Sequence, residues 1–336
     1  MPHLCAPIRK PFQMHCLWLG LPYGGLVIDL AGDSAVARVE RTKWNALVKL
    51  ARPYQWLKNG LVFAALVFSQ RLFHFHDVVL SVLAFIAFCA IASAGYAIND
   101  INDRESDQHH PEKRSRPLAN GDVTAGEALT QAAAFGLSGI ALSVALGPRF
   151  LAIAAAYLAM QFLYSHYAKQ VVIVDVIVIA IGFVLRAYAG GVAIDVAVSP
   201  WLVFITFVLA LMVALARRRH ELIALGAAAV DHRGPLGEYS VKLIDQMLSI
   251  VAGATLVGYM IYTASPEVAQ KLGTQHLFLT VPFVAFGILR YLYLVNECNE
   301  GGDPARLVLR DGPLLIAILL WIITDILLLY FSTVLT

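Results

Sequence analysis

The chain has 336 residues, of which 59% are hydrophobic and only 14% are Asp, Glu, Lys or Arg, whereas soluble domains carry about 45–50% apolar and about 25% charged residues. With a mean hydropathy of +0.70, these proportions exclude a disordered chain and argue against a water-soluble globule. The fold class expected is all-α, a polytopic membrane protein. The net charge of +2 gives no footprint for nucleic acid, and no nucleic acid is expected as a partner. Four cysteines (Cys5, Cys16, Cys89, Cys298) lack C-x-x-C spacing and ten histidines form no H-E-x-x-H pattern, so neither a zinc site nor a disulfide framework is indicated.

Residues 1–40 read as an extension, with a membrane domain over 41–336. The stretch 17–30 is mildly apolar and follows Arg9 and Lys10. As a cleaved signal it would leave Lys43, Arg52 and Lys58 on the wrong side of the charge bias described below, so a disordered or membrane-surface extension is expected instead. Apolar runs long enough to span a bilayer then follow at 51–69, 78–98, 125–146, 150–165, 171–191, 200–215, 246–263, 278–295 and 313–334. The first is interrupted by Arg52, Lys58 and Asn59, and the fourth is short. If the N-terminus and every second connection share one side, that side carries 21 of the 25 Lys and Arg residues. The opposite side holds only Arg71, Arg149 and Lys271, and Arg186 lies within the fifth run. The basic side is therefore expected to be cytoplasmic, with the C-terminus outside.

The chemistry concentrates after the second run, at Asn99, Asp100, Asp103 and Asp107. On one continuous helix these fall at about 0°, 100°, 40° and 80°, so four oxygen donors share a face. Hard oxygens at a membrane boundary suit Mg²⁺ shared with phosphate; an acidic, solvated helix end is the alternative. The basic stretch that follows, Lys113, Arg114 and Arg116, would place phosphate clamps beside the metal ligands.

The pattern Asn99-Asp100-x-x-Asp103-x-x-x-Asp107 resembles the signature of the UbiA superfamily of intramembrane prenyltransferases. Further matching text is found in Arg52-Pro-Tyr-Gln-Trp-Leu-Lys58-Asn59, in Tyr164-Ser-His-Tyr-Ala-Lys169, in Asp175 through Arg186 to Gly190-Gly191, and in Arg217-Arg218-Arg219-His220-Glu221. Arg290-Tyr291, Asp303-Pro304 and Asp311 complete the set. Within the superfamily the text is most similar to the decaprenyl-phosphate phosphoribosyltransferase branch, from about residue 44 to the C-terminus. The resemblance implies nine transmembrane helices around a central cavity, open to the cytoplasmic side and laterally to lipid, in a bacterial plasma membrane. It implies Mg²⁺ as cofactor, phosphoribosyl diphosphate and a polyprenyl phosphate as substrates among membrane lipids, and a place in cell-wall arabinan precursor synthesis. Homo-oligomerisation is left open.

One departure separates the branches. Aromatic prenyltransferases of the superfamily carry a second D-x-x-x-D motif after the sixth helix, but here that region reads Arg217-Arg218-Arg219-His220-Glu221. Arginine forks match phosphate geometry, so Arg217 and Arg218 are expected at a phosphate; a plain positive-inside cluster ending the helix is the alternative. The resemblance implies metal ligation by Asn99, Asp100, Asp103 and Asp107, the three aspartates being catalytic. Substrate-binding roles are expected for Lys58, Arg114, Arg116, Tyr164, Lys169, Asp175, Arg186, Arg217, Arg218 and Tyr239. Asp175 and Arg186 lie eleven residues apart on one face of the fifth run, as a pair bridged through a ligand or as a structural pair. Asp325 in the last run has no evident partner. Transfer of a prenyl group to an aromatic acceptor such as 4-hydroxybenzoate, and transport, are the competing functions; no paired inverted repeats favour transport.

Overall fold

The computed structural model describes residues 43–109, 113–225 and 238–331. The extension over 1–40 lies outside these residues, as do 110–112 of the acidic and basic block. Among the described residues every regular element is helical. Residues 43–51 form α1, and a 3-10 stretch Pro53–Val62 continues into α2 (Phe63–Phe68). Then come α3 (Phe75–Asn102), α4 (Arg104–His109), α5 (Ala125–Ala145), α6 (Pro148–His166), α7 (Val174–Ala193) and α8 (Pro200–Leu225). The second half comprises α9 (Val241–Ala264), α10 (Pro266–Leu272), α11 (Val281–Asn296), α12 (Pro304–Arg310) and α13 (Gly312–Tyr330).

Seven helices are long and apolar enough to cross a membrane: α3, α5, α7, α8 to Ala224, α9, Leu277–Asn296 and α13. The two runs that were weakest in sequence are the two outside that set. The first folds as the 3-10 stretch and α2, because Arg52 in the left-handed conformation (φ 53°) and Pro53 at N1 break it from α1. The fourth folds as α6, 19 residues long.

Local chemistry fixes the ends. Thr124 and Glu127 close a reciprocal capping box on α5, Ser240 caps α9, and Asp303 and Asp311 cap α12 and α13; each satisfies amides that the first turn leaves open. Gly147, at φ 104°, makes the turn from α5 into α6.

Large apolar side chains such as Leu137 (70% exposed) and Ile250 (71%) face outward, whereas Arg186, Arg218, Asp100, Asp107 and Asp175 are buried. That inversion is the pattern of a bundle solvated by lipid. Small residues bring the helices together: a side chain at Gly139 would meet Ile91 of α3, and one at Gly190 would overlap the Val62 carbonyl, close packing of the kind membrane helices favour. The first segment is pinned to α3 by Trp56 Nε1 donating to Ser93 Oγ (3.0 Å) and Ser93 Oγ donating to the Ala51 carbonyl (2.9 Å). Phe88 packs edge-on against Phe150 at 5.8 Å and also meets Tyr157 at 5.4 Å.

Candidate active site

The polar residues gather at one end of the bundle, where α3 ends, α7 begins and α8 ends. The oxygen ladder does not sit on one continuous helix. Asn102 is the last residue of α3, Asp103 is its C-cap (φ −93°, ψ 5°), and Asp107 belongs to α4. Serine engages backbone locally and favours such breaks, and Ser106 Oγ donates to the Asp103 carbonyl at 2.9 Å. The break is mild: the amides of Asp103 and Asp107 still bond the carbonyls of Asn99 (2.9 Å) and Asp103 (2.8 Å).

Asp100 and Asp107 are each 2% exposed and share a cation. Arg116 Nη1 lies 3.1 Å from Asp100 Oδ1 and 2.6 Å from Asp107 Oδ2, and Arg52 Nη2 reaches Asp100 Oδ1 at 2.5 Å. Asn99 Oδ1 accepts from Ser165 Oγ (3.0 Å). The Asp103 carboxylate is half-buried and takes no side-chain hydrogen bond among the described residues. Arg114 is exposed in the 3-10 turn Lys113–Ser115.

A second network lies across the same end. Arg218, 2% exposed, donates through Nε to Asp175 Oδ2 (2.6 Å), through Nη2 to Tyr164 Oη (3.0 Å) and through Nη1 to Glu221. Tyr239 Oη donates to Asp175 Oδ1 (3.0 Å) and accepts from the Ile173 amide (2.6 Å). Burial, above all, pushes the Tyr239 hydroxyl up to about 12, so it remains a donor at neutral pH. Arg219 is held by Asp245 (2.7 Å), the Val295 carbonyl (2.8 Å) and Asn299 Oδ1 (3.0 Å). Because these arginines find partners, α8 runs on to Leu225 rather than ending at 215. Arg217 is the open member: its side chain is 43% exposed and meets Glu221 Oε1 at 3.2 Å. Lys169 lies in the 3-10 turn Ala168–Gln170 before α7.

Asp175 and Arg186 do not pair. Eleven residues of helix separate them by about 16 Å along the axis, so a shared face does not bring them into contact. Arg186 instead donates to Asn59 Oδ1 (2.7 Å), the Gly182 carbonyl (2.8 Å) and Tyr157 Oη (2.5 Å). Asn59, Tyr157, Arg52 and Glu221 were not singled out for roles from the sequence. A signal for two of them was present: Glu221 sits four and three residues after Arg217 and Arg218, and Asn59 interrupts an apolar run. Asp325 is buried, and both its carboxylate oxygens lack a partner among the described residues.

A cavity of about 720 Å³ is lined by Lys58, Leu61, Phe183 and Val213 toward this end, and by Arg71 and Lys271 toward the other. Its remaining wall is largely apolar, with Leu202, Ile205 and Leu209 among its residues. Lys58 therefore stands where the charged end meets the apolar space.

The fold and this end of it define a membrane-embedded, all-helical enzyme. The chain belongs to the UbiA prenyltransferase family, which matches over residues 60–311, and it is a transferase. Decaprenyl-phosphate phosphoribosyltransferase from Mycolicibacterium smegmatis is 32% identical over 299 residues, covering 86% of this chain and 93% of that one. The protein of the same name from Corynebacterium glutamicum is 30% identical over 295 residues, covering 85% and 87%. In structure, the chain is similar to a UbiA homolog from Archaeoglobus fulgidus bound to GPP and Mg²⁺, with a TM-score of 0.62 and 20% identity over 84% of this chain and 99% of that one. That likeness speaks to the fold.

The residues present fit a divalent cation. Among the described residues no three His, Cys, Asp or Glu side chains form a ready-made cage, but Mg²⁺ is commonly held by one or two carboxylates together with substrate phosphates and water. One cationic atom, Arg116 Nη1, already bridges Asp100 and Asp107, so their carboxylates converge on a common positive charge.

Proposed function

We propose that the protein transfers a 5-phosphoribosyl group from phosphoribosyl diphosphate to a polyprenyl phosphate of the decaprenyl type and releases diphosphate, making a precursor of cell-wall arabinan. The observation that carries the reading is the end of α8. Arg217, Arg218 and Glu221 stand where a second acidic motif would bind metal, and the nearby carboxylates Asp175 and Asp245 are taken up by Arg218 and Arg219. A second metal-bound diphosphate has no acidic seat there, whereas a phosphate monoester finds arginine. The two relatives described above support the same substrate pair.

The chemistry needs no general base, because the attacking lipid phosphate is already an anion. Its oxygen forms a bond to the ribose anomeric carbon while the bond to diphosphate breaks and the electron pair leaves with the diphosphate, which inverts that carbon. Lys58, at the junction of charged end and cavity, holds the lipid phosphate together with Arg217, and the prenyl chain lies in the apolar cavity. Arg114, Arg116 and Lys169 orient the phosphates of the ribosyl donor. Tyr164, Arg218, Asp175 and Tyr239 fix the wall between α6, α7 and α8, and Arg186 ties α7 to the first segment. Asn99, Asp100, Asp103 and Asp107 would hold a divalent cation, which would neutralise the leaving diphosphate.

We assign residues 41–336 to one nine-helix membrane domain, with α6 and residues 53–68 as the two members outside the seven spans. The charge bias supports an active site facing the cytoplasm and an external C-terminus. The test is mass spectrometry of lipid products after incubating purified protein and Mg²⁺ with polyprenyl phosphate and labelled phosphoribosyl diphosphate. A labelled polyprenyl phosphoribose is expected. Consumption of a polyprenyl diphosphate with 4-hydroxybenzoate, and none of the ribosyl donor, would overturn the reading.

A further inference from the structure

The two arginines on the acidic ladder are held differently. Arg52 is fixed at its root and along its side chain. Its backbone is left-handed between α1 and the 3-10 stretch, its guanidinium lies over the Tyr96 ring at 5.2 Å, and neighbouring Ala51 is bonded to Ser93. A non-glycine residue persists in that conformation only where its surroundings determine it. Arg116 has an anchored backbone, its amide bonded to the Lys113 carbonyl and its carbonyl to the Asn120 amide, each at 2.9 Å. Its side chain is 26% exposed, and among the described residues its guanidinium hydrogen-bonds only the carboxylates of Asp100 and Asp107.

We propose that Arg116 is an exchangeable counter-ion, which neutralises Asp100 and Asp107 until a divalent cation arrives with a diphosphate and then moves onto the diphosphate, while Arg52 stays on Asp100. This rests on the reading of the ladder as a cation site. The charges favour the exchange. Arg52 and Arg116 already engage Asp100 and Asp107, so a divalent cation arriving alone competes with guanidinium for two of the three carboxylates and meets like charge. A diphosphate brings the missing negative charge and gives the displaced fork a bidentate partner. Metal and diphosphate therefore bind cooperatively, and the coupling is reciprocal. Arg116 acts on the site as a positioning residue for its carboxylates before it ever touches a substrate.

The experiment is isothermal titration of the full-length protein in detergent with Mn²⁺ alone and with a preformed Mn²⁺–diphosphate complex. The wild-type protein is expected to bind Mn²⁺ alone about tenfold or more weakly than the complex. Arg116→Gln should bind Mn²⁺ alone about tenfold more tightly than wild type and lose most of the difference between the two ligands. Arg116→Lys, which keeps the charge but not the fork, should restore the weak binding of Mn²⁺ alone and only part of the gain from diphosphate. Unchanged or weaker binding of Mn²⁺ alone by Arg116→Gln overturns the exchange. So does an Arg116→Lys protein that matches wild type on both ligands, which decides the matter even if the glutamine variant does not fold. If no protein binds Mn²⁺ in either form, the cation reading of the ladder itself falls and takes the exchange with it.

Discussion

Asp103 and Asp107 are both expected to serve the cation, yet they differ in what they do for the fold. The Asp103 side chain takes no hydrogen bond among the described residues, and only its backbone is engaged. Asp103→Asn keeps the shape and that backbone, so stability should change by no more than about 0.5 kcal/mol. Asp107 is 2% exposed and accepts from Arg116 at 2.6 Å. A charge-assisted bond of this kind contributes about 1.5–3 kcal/mol, and the partial exposure of Arg116 places Asp107→Asn near the low end, about 1.5 kcal/mol. Both variants should lose turnover by about 10²–10³-fold, the cost of removing one preorganised group at developing charge. Turnover is read by mass spectrometry of the lipid product, and stability by thermal unfolding in the same detergent. Asp103→Asn retaining turnover within a few-fold would refute the metal role. Equal destabilisation by the two variants would refute the distinction between them.

Three further outcomes follow from the same geometry. Asp175→Asn strips one carboxylate from buried Arg218 but leaves Glu221 and Tyr164, so the loss should sit near the low end for a broken buried pair, about 3 kcal/mol, measured by helix-signal unfolding curves. Ala210→Trp fills the apolar cavity from α8; displacing a few methylenes at about 0.8 kcal/mol each should raise the KM for the lipid about tenfold or more while leaving the KM for the ribosyl donor unchanged. The Arg290 guanidinium, bonded to Asp311, holds that carboxyl below the usual carboxylate range, with the Leu314 amide assisting against burial. A depressed carboxyl contributes stability above its unfolded value of about 3.9 and loses it as pH falls through the folded one. Wild type should therefore lose more stability than Asp311→Asn as pH is lowered from 5 to below 4, and parallel thermal unfolding curves for the two would contradict this.

How much was legible in the sequence depended on the range of the interaction. Apolar runs and caps are local, and the helices lie where the runs lie; the two weakest runs, the one broken by Pro53 and the one that folds as α6, are the two outside the seven spans. The acidic ladder was visible as spacing, but the break at Asp103 was not, because it depends on Ser106 bonding the Asp103 carbonyl within a pattern that reads as continuous helix. Arg186 misled for a different reason. Periodicity reports the face of a residue and not its height, so eleven residues on one face looked like a pair that three turns of helix keep apart. Its true partner, Asn59, lies 127 positions away, and no single-sequence pattern carries a contact of that separation. The Asp175–Arg218 pair, 43 positions apart, was hidden likewise, although a substrate-binding role is expected for each residue from the sequence.

A basic cluster at the edge of a membrane serves topology whether or not it binds anything, so the number of arginines does not identify a phosphate site. The carboxylates they face are more informative. Arg52 and Arg116 share Asp100 and Asp107, Arg218 takes Asp175 and Glu221, and Arg219 takes Asp245. After these are matched, Arg217 has only part of Glu221, and Lys58 and Arg114 have no carboxylate among the described residues within ion-pair distance. Lys58 borders the apolar cavity and Arg114 stands in the loop beside the acidic ladder. Among the basic side chains without a carboxylate partner, one is thus continuous with a lipid-like space and one stands beside the proposed cation site. A reaction that moves a group from a water-soluble diphosphate to a lipid monophosphate needs that division, since each substrate must arrive with its own negative charge balanced and its reactive end at the boundary between the two.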